Sequence, residues 1–210
     1  MEAIDHLPAG ALLVLSQVRW EDYEQLLEDL GDRPGVRVAY DDGRLQIVTV
    51  SDEHEAYTEF ILALARVFSD ERGIPLETRG SATWKRRKLR KGAEPDTCFY
   101  VANAHRIIGR RRIDLETDPP PDVVVEIDLT NESLSKFPIY AAFGVPEIWR
   151  YDGTRVEMYV LADQTYAQTS TSASFPGLTS QILEDYLERS KTQGQTEALG
   201  AFRDRLRRTS

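Results

Sequence analysis

The chain has 210 residues, a formal net charge of −9, 41% hydrophobic residues and 29% charged residues. These values are typical of a soluble globular protein and predict one α/β domain, residues 1–176, followed by a helical extension, residues 177–210. The acidic balance argues against a surface that is basic throughout, although local basic clusters remain compatible with it. The single cysteine, Cys98, excludes an internal disulfide and multi-cysteine zinc sites.

The N-terminal segment is a poor candidate for a targeting signal. It contains an apolar patch with no basic residue ahead of it, which argues against a signal peptide. No apolar run reaches the length of a membrane span. We therefore expect a cytoplasmic protein with no membrane contact.

The first part of the chain predicts a helix, a β-hairpin and a second, longer helix. This prediction rests on the helical spacing of apolar residues, on glycines that end the helices, and on a glycine turn between two apolar runs. In order, we assign a helix over 17–30, strands over 36–40 and 45–50, and a helix from 51 to about 71.

Acidic residues near the start of the long helix are candidates for supporting a metal site. Glu55 and Glu59 lie one turn apart on its polar face. Charged residues on a helix are usually only its solvated face, so the spacing alone assigns them no function. The neighbouring His54 is expected to be a surface or capping residue, because a zinc site needs further ligands.

Three further strands are predicted over 74–78, 82–85 and 95–101, with a basic turn between the last two. The basic turn holds six cations in seven positions: Lys85, Arg86, Arg87, Lys88, Arg90 and Lys91. Such a charge density favours contacts with the phosphates of DNA or RNA. The alternative is a solvated loop that protects a sheet edge from aggregation. A second basic cluster lies in the polar connection that follows: Arg106, Arg110, Arg111 and Arg112.

The central strand combines a buried pattern with acidic residues. Residues 123–127 form an apolar run typical of a buried sheet strand, but Glu126 within it and Asp128 after it are acidic. Because strand side chains alternate between faces, both acids project from one face, together with Asp122. A buried carboxylate needs a compensating partner, so we expect a metal ion or Lys136 opposite Glu126.

A short helix and a second strand follow the central strand. Gly144 ends the helix, and Lys136 and Tyr140 share one of its faces. A strand, helix and strand in succession form a right-handed crossover with parallel strands. The rest of the chain is assigned to strands at 147–151, 156–161 and 165–169 and helices at 177–190 and 194–208. The last helix could pack on the domain, pair with another subunit or fray.

Four residues form a candidate metal cluster: Asp96, Glu126, Asp128 and Lys136. Mg²⁺ prefers hard oxygen ligands, usually one or two carboxylates with waters and phosphate oxygens. Such an ion stabilises charge that develops on a phosphoryl group, and a nearby lysine can orient a water. The alternative is that Lys136 only neutralises Glu126 in a structural ion pair, and spacing alone does not separate the two.

The segment PDVVVEIDLTNESLSKFPIYAAFGVPEIWRY, residues 121–151, resembles the Uma-type endonucleases of the PD-(D/E)XK restriction-endonuclease-like superfamily. The resemblance extends through SDEHEAYTEF and GSATWKRRKLRKGAEPDTCFYV, covers roughly residues 15–180 and is most specific at GVPEIWRYDG. It implies a mixed β-sheet flanked by helices. It also implies an endonuclease that depends on Mg²⁺ or Mn²⁺ and cleaves DNA.

The resemblance also implies roles for individual residues. Asp96 and Glu126 match the metal-binding acids, and Asp128 stands where a lysine is usual. Lys136 on the following helix matches the lysine found there in this family and would position the attacking water. Glu55, or alternatively Glu59, matches a helix glutamate that supports the site together with Asp128. The basic turn would follow the DNA backbone.

Two other functions stay open at this point. One is a non-catalytic binding or assembly module with the same fold, in which the acids and the lysine are structural. The other is a hydrolase in which Glu126 and a second carboxylate act as acid and base on a non-nucleotide substrate. A homodimer through the C-terminal helices and exposed hairpins is a further hypothesis.

Overall fold

The computed structural model describes residues 6–31 and 33–209 and shows two β-sheets flanked by helices. The strands are β1 Leu12–Leu15, β2 Val36–Asp41, β3 Arg44–Thr49, β4 Glu77–Thr78, β5 Trp84–Arg86, β6 Lys91–Ala93, β7 Thr97–Tyr100, β8 Val123–Ile127, β9 Glu147–Tyr151, β10 Val156–Ala162 and β11 Thr165–Thr169. The helices are α1 Trp20–Leu30, α2 Asp52–Arg72, α3 Ala104–Ile107, α4 Phe137–Phe143, α5 Ser180–Gln193 and α6 Gln195–Arg208, with 3-10 turns at Arg87–Leu89 and Ser133–Lys136.

The two sheets meet where β6 leads into β7. The first sheet has the order β1-β3-β2-β6-β5 and is antiparallel. The second has the order β11-β10-β9-β8-β7-β4, and in it β8 and β9 run parallel. The predicted crossover through α4 is therefore confirmed. Residues 94–96 connect the sheets, so they lie beside the end of the central strand β8.

Strand β8 is buried on both faces, as its β-branched run predicts. On one face, Val123 and Val125 belong to a core cluster that includes Phe60 and Leu64 of α2. On the other face, Val124 belongs to a cluster with residues of β7, α4 and β9. A polar side chain on this strand is therefore shielded from water unless the fold opens a cavity beside it.

The predicted C-terminal extension packs on the main core. Leu187 of α5 and Phe202 of α6 are fully buried in the same cluster as the α2 side chains. Glu71 at the end of α2 forms an ion pair of 3.0 Å with Arg207 of α6. The apolar faces of both helices are thus used within this chain, and the predicted homodimer stays a prediction.

The structure differs from the sequence expectations at three places. The N-terminal apolar patch forms edge strand β1, which pairs with β3. The strand predicted over 74–78 shortens to Glu77–Thr78, and the basic turn is closed by β6 instead of the strand over 95–101.

In the part of the chain that the structure describes, no helix is long and apolar enough to cross a membrane.

Candidate active site

The carboxylate of Glu126 is buried in the central strand β8. Its residue is 1% exposed, and Lys136 Nζ lies 2.7 Å from Oε2. The hydroxyl of Tyr140 donates a hydrogen bond to Oε1. Lys136 ends a 3-10 turn and Tyr140 lies one helical turn further on, so both side chains lie over the same face of β8.

The carboxylate of Asp96 is held beside the end of the same strand. Its Oδ2 accepts a hydrogen bond of 2.7 Å from the backbone N–H of Ile127. The same oxygen lies 3.1 Å from Nε2 of His54, and Oδ1 lies 3.5 Å from Nε of Arg37. Asp96 is thus contacted by side chains from the first sheet and from α2.

A small cavity lies over these side chains. Its volume is about 40 Å³, which is room for about three water-sized species. Its lining includes the polar side chains of Arg37, His54, Asp96, Glu126, Asp128 and Lys136. The three carboxylates of this set, the guanidinium of Arg37, the amine of Lys136 and the imidazole of His54 therefore face one solvent-accessible space.

Burial and charge shift the pKa values of this cluster in different directions. Burial raises the pKa of Glu126 to about 7, against the opposing charge of Lys136. Burial alone would lower the pKa of Lys136, but the charges of Glu126 and Asp96 raise it above its usual value. Burial likewise acts to raise the pKa of Asp96. The hydrogen bond with His54 and the charge of Lys136 outweigh this effect, so the pKa of Asp96 is lower than its usual value. Lys136 is therefore an ammonium group near neutral pH.

The donor set fits a divalent ion with few protein ligands. Among the described residues, no three His, Cys, Asp or Glu side chains form a ready-made metal site. Mg²⁺ usually takes only one or two carboxylates plus waters and phosphate oxygens, which Asp96 and Glu126 could provide at the cavity. Within the described part of the chain, the buried atom His54 Nδ1 lacks a hydrogen-bond partner, and Arg37 Nε has only the 3.5 Å contact with Asp96.

Comparison with protein families gives one match that spans most of the chain. Residues 20–191 match the family model Uma2, described as "Putative restriction endonuclease". The chain belongs to the Uma2 family. The match covers every residue of the cavity described above, so the family resemblance seen in the sequence is confirmed.

A solved structure confirms the fold. It is the crystal structure of "a putative nuclease belonging to DUF820" from Anabaena variabilis ATCC 29413. The two chains share 12% sequence identity with a TM-score of 0.54, over 81% of this chain and 99% of that chain. At this identity the likeness shows a common fold and no more. A search among curated proteins finds no match.

The structure brings together most of the residues that the sequence predicts for the active site. Asp96, Glu126, Asp128 and Lys136 line the same cavity. Asp128 Oδ2 accepts a hydrogen bond of 2.9 Å from the backbone N–H of Ser133 and one from the side chain of Arg150. Asp128 is thus engaged in fixing the turn that carries Lys136.

The helix glutamates lie outside the cavity. Glu55 Oε1 accepts a hydrogen bond of 2.7 Å from Arg37, and the Glu55 side chain is 41% exposed. Glu59 is exposed on the next turn of α2. A role for Glu55 in supporting the site would therefore act through Arg37, which contacts Asp96.

The expectation that His54 is a surface or capping residue is wrong. His54 is only 7% exposed, and Ser51 is the residue that caps α2, accepting a hydrogen bond of 3.2 Å from the backbone N–H of His54. The sequence carried a signal for this burial, because His54, Thr58 and Ile61 repeat at the helical spacing of the buried face. The roles of Arg37 and Arg150 had no such signal, since their partners, such as Glu55, Asp96 and Asp128, lie far away in the sequence.

The cations of the basic turn lie close to carboxylates or carbonyls. Lys85 lies 3.0 Å from Glu24, and Arg87 lies 2.7 Å from the same residue. The other four also have partners: Arg86 with the Leu115 carbonyl, Lys88 with Glu116, Arg90 with Asp42 and Lys91 with Asp41. Much of the positive field of the turn is therefore neutralised within the chain.

The raised pKa of Glu126 predicts a pH dependence of stability for the metal-free protein. Its pKa rises from 4.5 to about 7 on folding, so the folded state binds this proton more tightly than the unfolded chain. The contribution of Glu126 is therefore fully present below its unfolded pKa and is lost as the pH rises through about 7. The free energy of unfolding of the wild type, relative to Glu126→Gln, should fall over this range by at least about 1 kcal/mol. Urea unfolding of both proteins in EDTA measures this difference in the free energy of unfolding. Parallel pH profiles for the two proteins would contradict a raised pKa of Glu126.

Proposed function

We propose that the protein is a divalent-metal-dependent endonuclease that hydrolyses DNA phosphodiester bonds. The observation that carries the proposal is the buried pair of Glu126 and Lys136, 2.7 Å apart, at a cavity that Asp96 also lines. Membership of the Uma2 family supports the same reaction class. The reaction is the attack of water on phosphorus with cleavage of one phosphorus–oxygen bond, and it needs no other reactant.

Lys136 acts in this proposal as a donor and not as a base. Its ammonium group is retained by the charges of Glu126 and Asp96, which raise its pKa. An ammonium group cannot abstract a proton from water, but it can orient a water and stabilise negative charge developing on a phosphate. The second hydrogen bond of Lys136, 3.2 Å to the carbonyl of Glu94, fixes its position over the cavity.

Asp96 and Glu126 would hold the metal ion, Mg²⁺ or Mn²⁺. When bound, such an ion supplies a positive charge that stabilises the charge developing on the scissile phosphate. Asp128 supports the site through Ser133 and Arg150, since it fixes the turn before Lys136. Glu55 supports it through Arg37.

The second candidate function is a binding or assembly module that has lost catalysis. Its support is that the acids of the cavity already have partners within the chain: Lys136 and Tyr140 for Glu126, and His54 and Ile127 for Asp96. In this alternative the acid–lysine cluster only stabilises the fold. A metal-dependent activity that requires Asp96 separates the two functions.

Plasmid cleavage with Mg²⁺, Mn²⁺ or EDTA tests the proposed activity. Asp96→Asn should lower the metal-dependent cleavage rate by about 100-fold or more, because the site then loses a charged ligand. Lys136→Ala should lower it by a similar factor.

Asp122→Asn is the matched control for this experiment. Asp122 is also a buried aspartate beside β8 and is 4% exposed. It lies at the opposite end of the strand from Glu126, where it accepts a hydrogen bond of 2.7 Å from the backbone N–H of Val101. It should lower stability while leaving cleavage per folded molecule unchanged. Wild-type protein that binds neither metal ion and cuts no DNA would favour the binding module.

We also propose that the basic turn contacts the DNA backbone. Its cations are paired, but exposed ion pairs contribute little to stability, so phosphates can replace the carboxylates. The side chains of Lys88 and Arg90 are 86% and 53% exposed, so both are accessible to DNA. Asp96 follows Lys91 by five residues, so β6 places the turn at most about 17 Å from the acids.

The salt dependence of DNA binding tests this contact. Each lost phosphate contact should reduce the slope of log K against log salt concentration by about 0.9. The double variant Lys88→Gln, Arg90→Gln should therefore have a slope shallower by about two units. The control Arg110→Gln, Arg111→Gln removes the same charge beyond the opposite end of β7. A slope that changes only in the control would place the DNA contact elsewhere.

A further inference from the structure

We propose that His54 is a nitrogen ligand of the metal ion and that it makes the site selective for Mn²⁺ over Mg²⁺. This inference rests on the proposed metal-dependent function, and it assigns a role to a residue outside the acid–lysine cluster. His54 is 7% exposed, lies in the first turn of α2 and lines the same cavity as Asp96 and Glu126.

The spacing of His54 and Asp96 fits two neighbouring ligands of one ion. The two atoms that face each other, His54 Nε2 and Asp96 Oδ2, are 3.1 Å apart. Adjacent ligand atoms of an octahedral ion with bonds of about 2.1 Å lie about 3.0 Å apart. The two atoms are hydrogen-bonded in the metal-free protein, and their separation is close to the one that shared coordination requires.

The hydrogen bonding of the imidazole also points to a ligand. A buried histidine with a purely structural role normally uses both ring nitrogens. Here Nδ1 is buried without a hydrogen-bond partner, while Nε2 is directed at the carboxylate of Asp96. The one nitrogen with a partner thus faces the residue that would bind the metal.

The backbone around His54 holds the ring in this position. The hydroxyl of Ser51 caps its N–H, and the hydroxyl of Thr58 donates a hydrogen bond of 3.0 Å to its carbonyl. Both contacts fix the first turn of α2 beside the cavity. A ligand on a rigid helix keeps its geometry better than one on a loop.

A nitrogen ligand changes which metal the site prefers. Mg²⁺ is a hard ion that favours oxygen, whereas imidazole binds transition metal ions more strongly. With His54 as a ligand, the ratio of the Mn²⁺ affinity to the Mg²⁺ affinity should be larger than the ratio that the two carboxylates alone would give. Removal of His54 should lower the Mn²⁺ affinity by about tenfold or more and change the Mg²⁺ affinity much less.

Pulsed electron paramagnetic resonance of the Mn²⁺-loaded protein tests the ligand directly. The wild type should show coupling of the Mn²⁺ electron spin to a ¹⁴N nucleus. Labelling the wild type with ¹⁵N-histidine should replace that signal by a ¹⁵N coupling, which needs no variant. His54→Gln should lose the coupling and show the tenfold loss of Mn²⁺ affinity by calorimetry. His105→Gln, which changes an exposed histidine, should lose neither.

The outcomes separate this inference from the proposed function. Mn²⁺ that binds in an Asp96-dependent manner without histidine coupling would overturn the role of His54 and leave the metal-dependent function intact. A histidine coupling that survives in His54→Gln would also overturn it. Absence of any Mn²⁺ binding to the wild type would overturn both.

Discussion

The burial of one carboxylate in the central strand governs the arrangement of this protein. Glu126 is 1% exposed in a strand that is apolar on both faces, and an uncompensated charge there would be strongly destabilising. Lys136 from the 3-10 turn and Tyr140 from helix α4 compensate it, because the crossover brings both elements back over β8. The ion pair is costly to desolvate as well, so it gives little net stability. Its position at a cavity is one of the features that support the proposed function.

The connection between the two sheets adds the second carboxylate. Residues 94–96 leave β6 and enter β7, so Asp96 reaches the end of β8 and is held there by the backbone N–H of Ile127. Arg37 from the first sheet and His54 from α2 contact Asp96 from the other side. The cavity is therefore built from both sheets and the long helix. A change in the packing of α2 would alter the site as directly as a change in β8.

The part of this site that is local in sequence could be predicted, and the part that is not local could not. The acids in an apolar run indicate a buried carboxylate whose partner is a metal ion or Lys136, and the structure shows Lys136 there. The strand, helix and strand in succession predict the parallel pairing of β8 with β9. The contact of Arg37 with Asp96 depends on how two sheets join, which no periodicity records. The sequence gives no apolar signal for the burial of His54, because the buried face of α2 begins before the first apolar residue of the helix.

The same limit applies to the basic turn. Its charge density in the sequence indicated a strongly positive surface, but carboxylates far away in the chain, such as Glu24 of α1, lie against its cations. Net charge of a segment is therefore a poor guide to its field once the fold brings opposite charges to it. The acid–lysine cavity is the stronger evidence for a nuclease, because its partners are buried and its geometry is specific.

Anomalous diffraction from crystals soaked in Mn²⁺ tests the central claim most directly. An anomalous peak is expected in the cavity, within about 2.2 Å of carboxylate oxygens of both Asp96 and Glu126. The peak should be absent from crystals of Asp96→Asn. A well-ordered wild-type cavity with no peak, in which Lys136 remains the partner of Glu126 at saturating Mn²⁺, would contradict the account and identify the cluster as a structural ion pair.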